Sequence, residues 1–113
     1  MSDTSEAGIE TALQAAGATA PRLTPGDVDL AIAAEAYYRF PGTTMTVCCL
    51  TLRNGFHVIG HSAAASPGNY NEELGRMIAR LKAREQIWML EGYLLRQRLS
   101  QGAAGEPGGT LAA

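Results

Sequence analysis

Between Ile87 and Leu95 the chain reads Ile-Trp-Met-Leu-Glu-Gly-Tyr-Leu-Leu, and no other segment constrains its fold so tightly. On a helical period, Ile87, Trp88, Met89 and Leu90, followed by Tyr93, Leu94 and Leu95, occupy nearly every side. A helix that is apolar all round has to be covered all round. The remaining elements are too few to do so, which makes a second copy of the same segment the economical partner. The sequence therefore predicts a homo-oligomer.

The supply of large apolar groups explains the shortage. Of the Val, Ile, Leu, Met, Phe, Trp and Tyr residues, 26 lie within positions 24–100 and five outside them. One small α+β domain is expected over 24–100, between a flexible N-terminal arm at 1–23 and a disordered, Gly-rich tail at 101–113. Within the arm, Ile9 and Leu13 give only a weak helical signal. A chain this size has too little interior for a deep private cavity, so a small-molecule pocket is expected between subunits.

Thr24-Pro25-Gly26-Asp27 is a helix start: Thr24 caps free amides, Pro25 suits the first turn and Asp27 complements the positive helix end. The spacing of Val28, Ile32 and Ala36 extends that helix to about Arg39, where Pro41-Gly42 stops it. Thr43 to Leu52 reads as a strand, Asn54-Gly55 as a two-residue turn, and Phe56 to Ser62 as the returning strand. That turn places Leu52 opposite His57, Leu50 opposite Ile59 and Cys48 opposite His61. Both faces of the hairpin are then substantially apolar, and each needs a cover. Asn69, three residues before Glu72, has capping-box spacing and opens a helix of about 30 residues. In this helix Gly75, Ala79 and Ala83 form a smooth stripe that admits another backbone. The expected architecture is a short N-terminal helix, an antiparallel hairpin or sheet and a long C-terminal helix, oligomerising through sheet and helix.

A formal charge of −2 argues against non-specific nucleic-acid binding, although positions 70–100 carry six Lys and Arg against four Glu. There is no leader-like start and no apolar run long enough to span a bilayer, so a soluble, intracellular protein is expected. Cys48 and Cys49 are adjacent in a strand, face opposite sides and suit a reducing compartment. Metal binding by Cys48, Cys49, His57 and His61 lacks a third convergent ligand, since the expected register sets Cys48 opposite His61 and His57 lies four strand residues, about 13 Å, from that pair. A Cys48 and His61 nucleophile pair lacks an orienting group, and Glu72, Glu73, Glu85 and Glu91 read as a solvated face. No enzyme, metal or cofactor is expected. Anion binding has more support. Ser66-Pro67-Gly68-Asn69 feeds a helix N-terminus, Tyr70 and Phe56 offer stacking surfaces, Arg76, Arg80 and Arg84 recur every fourth residue, and Arg53 sits at the hairpin turn.

Thr46-Val47-Cys48-Cys49-Leu50-Thr51-Leu52-Arg53-Asn54-Gly55-Phe56, Ser66-Pro67-Gly68-Asn69-Tyr70-Asn71-Glu72-Glu73 and the Ile87 to Leu95 string resemble a family of small tailed-phage proteins. That family includes the Thoeris anti-defence 1 sponge, which counters bacterial TIR signalling. The resemblance covers about 24–100. It implies a phage anti-defence protein of the host bacterial cytoplasm that sequesters glycocyclic ADP-ribose without cleaving it, blocking Thoeris effector activation. Homodimers that associate into hexamers, and a separate site for cyclic oligonucleotides of CBASS, are implied too. On this resemblance Phe56 and Tyr70 would stack on bases, Asn69 would contact ribose or phosphate, and Arg53, Arg80 and Arg84 would pair with phosphates. The chain departs from the family pattern at Ala64, at Tyr70-Asn71 and at Gln86, where relatives often carry Cys, Phe-Asp and a basic residue. The competing reading is a small oligomeric phage regulatory protein that binds DNA or a host protein through the arginine row.

Overall fold

The structure, a computed structural model, describes residues 5–104. The elements are α1 (Glu6–Ala15), α2 (Pro25–Ala31), β1 (Ile32–Arg39), β2 (Thr46–Leu52), β3 (His57–Ser62), a 3₁₀ turn (Pro67–Asn69) and α3 (Glu72–Ala104). The architecture is α+β, with a three-stranded antiparallel sheet in the order β1-β2-β3. The segment expected as a loose arm contains α1. The expected disordered tail lies outside the described residues beyond 104, and its first residues continue α3.

The helix expected through Arg39 stops at Ala31. Its start is as read, with Thr24 and Asp27 bonded reciprocally as a capping box, but Ile32 is already extended. From there β1 pairs along the whole length of β2. A hairpin alone is marginal, and the backbone bonds of a third strand outweigh the helix preference of Ala33, Ala34, Glu35 and Ala36. Pro41-Gly42 makes a hairpin turn instead of a helix stop, with Gly42 at φ +77° and the Thr43 amide donating to the Phe40 carbonyl at 3.1 Å.

The β2–β3 register also differs from the two-residue turn. Arg53, Asn54 and Gly55 form a three-residue loop in which only Gly55 has positive φ, at +90°. The Leu52 amide donates to the Phe56 carbonyl at 2.8 Å, and the Gly55 amide to the Leu52 carbonyl at 2.9 Å. Leu50 therefore opposes Val58, Cys48 opposes Gly60 and Val47 opposes His61. A slip of one residue exchanges the faces. Thr46, Cys48, Leu50 and Leu52 are buried with Val58 and Gly60, whereas His57, Ile59 and His61 are exposed.

α3 covers that first face. Its stripe of Ala79, Ala83 and Ile87 is fully buried against Cys48, Leu50 and Val58, with Val28 of α2 closing one end. The backbone that the smooth stripe admits is the chain's own β3. A Cβ built on Gly60 would lie 2.2 Å from the Ala79 carbonyl oxygen and 2.3 Å from the Ala83 nitrogen. Gly75 backs onto Thr46 and Ser62, and the Ser62 hydroxyl donates to the Gly75 carbonyl at 2.7 Å. The N-cap of α3 is Asn71, whose Oδ1 accepts from the Leu74 amide at 2.9 Å; Asn69, the expected cap, belongs to the 3₁₀ turn.

The second face of the sheet has no cover among the described residues. Tyr38 and Ile59 are exposed there beside half-buried Val47 and Cys49, and Tyr38 meets Phe40 edge-on at 5.0 Å. On the outer side of α3, Leu74, Met77, Ile78 and Leu81 form an exposed apolar stripe, and Met89 and Tyr93 are among the most exposed large apolar groups of the chain.

Candidate functional site

The six residues expected to bind ligand do not converge within one chain. Arg53 lies at the turn end of the sheet, and Asn69 and Tyr70 lie at the other, about 20 Å away along β3. Phe56 is exposed on the turn. Arg80 and Arg84 sit on an α3 edge that faces β1 and α2.

At the far end, Asn69, Tyr70, Thr44 and Ser62 line a small cavity of about 120 Å³. The Tyr70 ring is already covered by the Arg39 guanidinium, 4.3 Å from its centroid. The Tyr70 hydroxyl and Thr46 Oγ1 are buried there and find no hydrogen-bond partner among the described residues. Ala64 is held through its backbone: its carbonyl accepts from the Thr44 hydroxyl, which in turn accepts from its amide. Gln86 donates to the Ile59 carbonyl and so protects the exposed β3 edge.

Along the helix edge the arginine row is internally neutralised. Arg76 pairs with Glu72 at 3.0 Å and stands over the Tyr37 ring, while Arg80 pairs with Glu35 at 3.2 Å. Tyr37 donates to Glu35 at 2.7 Å, which holds that carboxyl below its usual range, and burial raises the Tyr37 hydroxyl. Arg84, only 6% exposed, is gripped by Glu6 and Asp29. Each of the three is paired with a carboxylate, Arg84 almost out of solvent and Arg76 on the open surface.

The turn end holds a larger cavity, about 390 Å³, between α2, the β2–β3 loop and the distal half of α3. Three guanidiniums line it: Arg22, Arg53 and Arg98. Asn54 adds an amide, and Asp27 and Glu91 are the acidic residues of the wall. The Arg53 amide donates to the Ala31 carbonyl at 3.0 Å and its Nε to the Leu30 carbonyl, which fixes the side chain at the α2–β1 junction. Arg22 is held by both oxygens of Glu10, at 2.6 and 2.8 Å. Phe56 stands on the same loop. Sequence reasoning found Arg53 and Phe56 but missed Arg22 and Arg98, which belong to no periodic pattern. The capped helix start at Thr24 is the one signal that placed residue 22 at a folded boundary.

The chemistry of the remaining candidates follows from the register. Cys48 opposes Gly60 instead of His61, and burial raises its thiol pKa, so Cys48 and His61 do not form a nucleophile and base. His57 Nδ1 is 3.1 Å from the Thr51 hydroxyl across the strand pair. Among the described residues no group of three or more His, Cys, Asp or Glu is placed to hold a metal ion, and no helix is long and apolar enough to cross a membrane.

Residues 23–99 match the Phage protein (N4 Gp49/phage Sf6 gene 66) family. No curated relative and no solved structure matches the chain.

Proposed function

The chain belongs to this phage protein family, and from that premise we propose that it binds a cyclic nucleotide messenger of bacterial immunity and holds it without chemistry. Glycocyclic ADP-ribose is the ligand put forward, with cyclic oligonucleotides as further cargo. By removing the messenger in the host cytoplasm, the protein would keep Thoeris or CBASS effectors silent. The observation that carries this reading is the turn-end cavity, where Arg22, Arg53 and Arg98 meet around a volume of about 390 Å³. Phe56, exposed just past the turn, offers an aromatic face outside that lining. Guanidinium forks match pyrophosphate oxygens in geometry and charge, and an aromatic face suits adenine.

The open sheet face and the exposed α3 stripe support a homodimer, with higher assembly through the second surface. A single chain keeps Asn69 and Tyr70 about 20 Å from Arg53, so only a neighbouring protomer could bring them to one ligand. The competing DNA reading has less support, because Arg76, Arg80 and Arg84 each face a carboxylate. Calorimetric titration with glycocyclic ADP-ribose, followed by heat denaturation and recovery of the ligand, tests the proposal. Saturable binding with intact ligand returned is expected, and R53A should weaken it about tenfold or more. Recovery of a hydrolysed product, or duplex binding that falls steeply with salt, would replace this reading.

A further inference from the structure

α1 precedes the matched region 23–99 and buries none of its residues. Its apolar side chains Ile9 and Leu13 stay partly exposed over a cleft of about 450 Å³ that they share with Leu81 and Trp88. What attaches it is polar. Glu6 accepts from Arg84 Nη2 at 2.6 Å, from Arg84 Nε at 3.0 Å and from Trp88 Nε1 at 3.0 Å. Glu10, one helical turn on, accepts both terminal nitrogens of Arg22. Arg22 is also one of the three guanidiniums lining the turn-end cavity.

We propose that α1 is a displaceable latch: Glu10 occupies the Arg22 fork until an anion in the turn-end cavity takes its place and releases the helix. The inference rests on reading that cavity as an anion site. Glu10 takes both terminal nitrogens of Arg22, so an anion that engages that same end-on fork has to displace it. The Arg22–Glu10 part of the hold is the exchangeable one, because that pair keeps contact with solvent where Arg84 hardly does, and α1 adds little apolar burial. Glu6 and Glu10 are four residues apart on one helix face, so loss of the Arg22 contact loosens the Glu6 contacts to Arg84 and Trp88 as well.

Trp88 is the only tryptophan and bonds directly to Glu6, so its emission reports the latch. The test titrates the full chain with inorganic pyrophosphate at constant ionic strength, by calorimetry and by Trp88 fluorescence, for the wild type, E10Q and R53A. The latch requires a red shift of Trp88 on saturation, faster amide exchange across residues 6–15 in the bound state, and E10Q binding about threefold to fivefold tighter than wild type. Loss of affinity in R53A together with unchanged or weaker binding in E10Q and an unmoved Trp88 overturns the latch and leaves the anion site standing. Pyrophosphate binding that R53A does not alter, or no binding to wild type or E10Q, overturns the site and the latch with it. A merely structural role for Glu10 would free α1 in E10Q without tightening the ligand, which also sinks the proposal.

Discussion

Gly60 of β3 lies directly against the backbone of α3, so Gly60→Ala puts one methyl group where the two backbones meet. The added Cβ would sit 2.2 Å from the Ala79 carbonyl oxygen, 2.3 Å from the Ala83 nitrogen and 2.9 Å from the Lys82 carbonyl carbon. All three are backbone atoms, and no rotamer change relieves them. α3 must lift by about 1 Å, and a gap of that size forfeits about a quarter to a half of each dispersion contact along the seam. The residues that lose contact are the buried Ala79, Ala83 and Ile87 against Cys48, Leu50 and Val58. Overpacking of this kind costs about 3 kcal/mol, a large share of the roughly 5–15 kcal/mol that holds a small domain together. Gly75→Ala is the matched control. There the new Cβ meets Thr46 Oγ1 at 3.4 Å, an ordinary contact, and an alanine favours the helix by about 1 kcal/mol over glycine. Urea unfolding followed by Trp88 fluorescence and far-UV circular dichroism measures both variants. Gly75→Ala should be neutral or stabilising by up to about 1 kcal/mol. A loss below about 1 kcal/mol for Gly60→Ala, or equal losses at the two glycines, would refute the account of how α3 seats on the sheet.

Replacing Arg84 by Ala should cost about 2 kcal/mol in the same assay, because it removes a nearly buried fork but leaves Glu6 and Asp29 able to hydrate. The Arg22 hydrogen bonds lower Glu10 to about 2, and the Arg84 hydrogen bonds lower Glu6. A carboxylate depressed in the folded state contributes stability above its unfolded value of 4.5 and loses it as pH falls toward the folded value. α1 should therefore detach between about pH 4.5 and 2, seen as a Trp88 red shift ahead of global unfolding; a shift that coincides with loss of helicity at 222 nm would refute separate detachment. Cys49, half-buried on the open sheet face, should react with a thiol reagent before the fully buried Cys48, and its rate should fall as protein concentration rises if a second copy covers that face. Gly92→Ala meets nothing within 4 Å and should stabilise an isolated chain by about 1 kcal/mol, whereas a destabilised oligomer would place Gly92 in an interface.

The elements whose signal is local were legible. The Thr24 cap, a long C-terminal helix and a hairpin around Asn54-Gly55 are all present, although α3 caps at Asn71 instead of Asn69 and the turn holds three residues instead of two. β1 was not legible, because Ala33, Ala34, Glu35 and Ala36 favour a helix locally and only pairing to β2 makes them a strand. The aromatic run Tyr37-Tyr38-Arg39-Phe40 ahead of Pro41-Gly42 was the available hint of a strand entering a turn. At the site, Arg53 and Phe56 could be found because a turn motif frames them. Arg22 and Arg98 could not, since three elements distant in sequence bring them together. The neutralisation of Arg80 and Arg84 depends on Glu35, Glu6 and Asp29, which no spacing rule connects to α3.

The three-residue loop at Arg53, Asn54 and Gly55 sets more than a register. Because strand side chains alternate, the parity of this loop decides whether β3 offers α3 the sequence Val58-Gly60-Ser62 or His57-Ile59-His61. Only the first set contains a residue that a helix backbone can touch. An insertion or deletion of one residue here would turn β3 over relative to β1 and β2, while a change of two would leave its buried face in place. The composition of this loop, and even its reach toward a ligand, can change without disturbing the core, but its length only in steps of two residues.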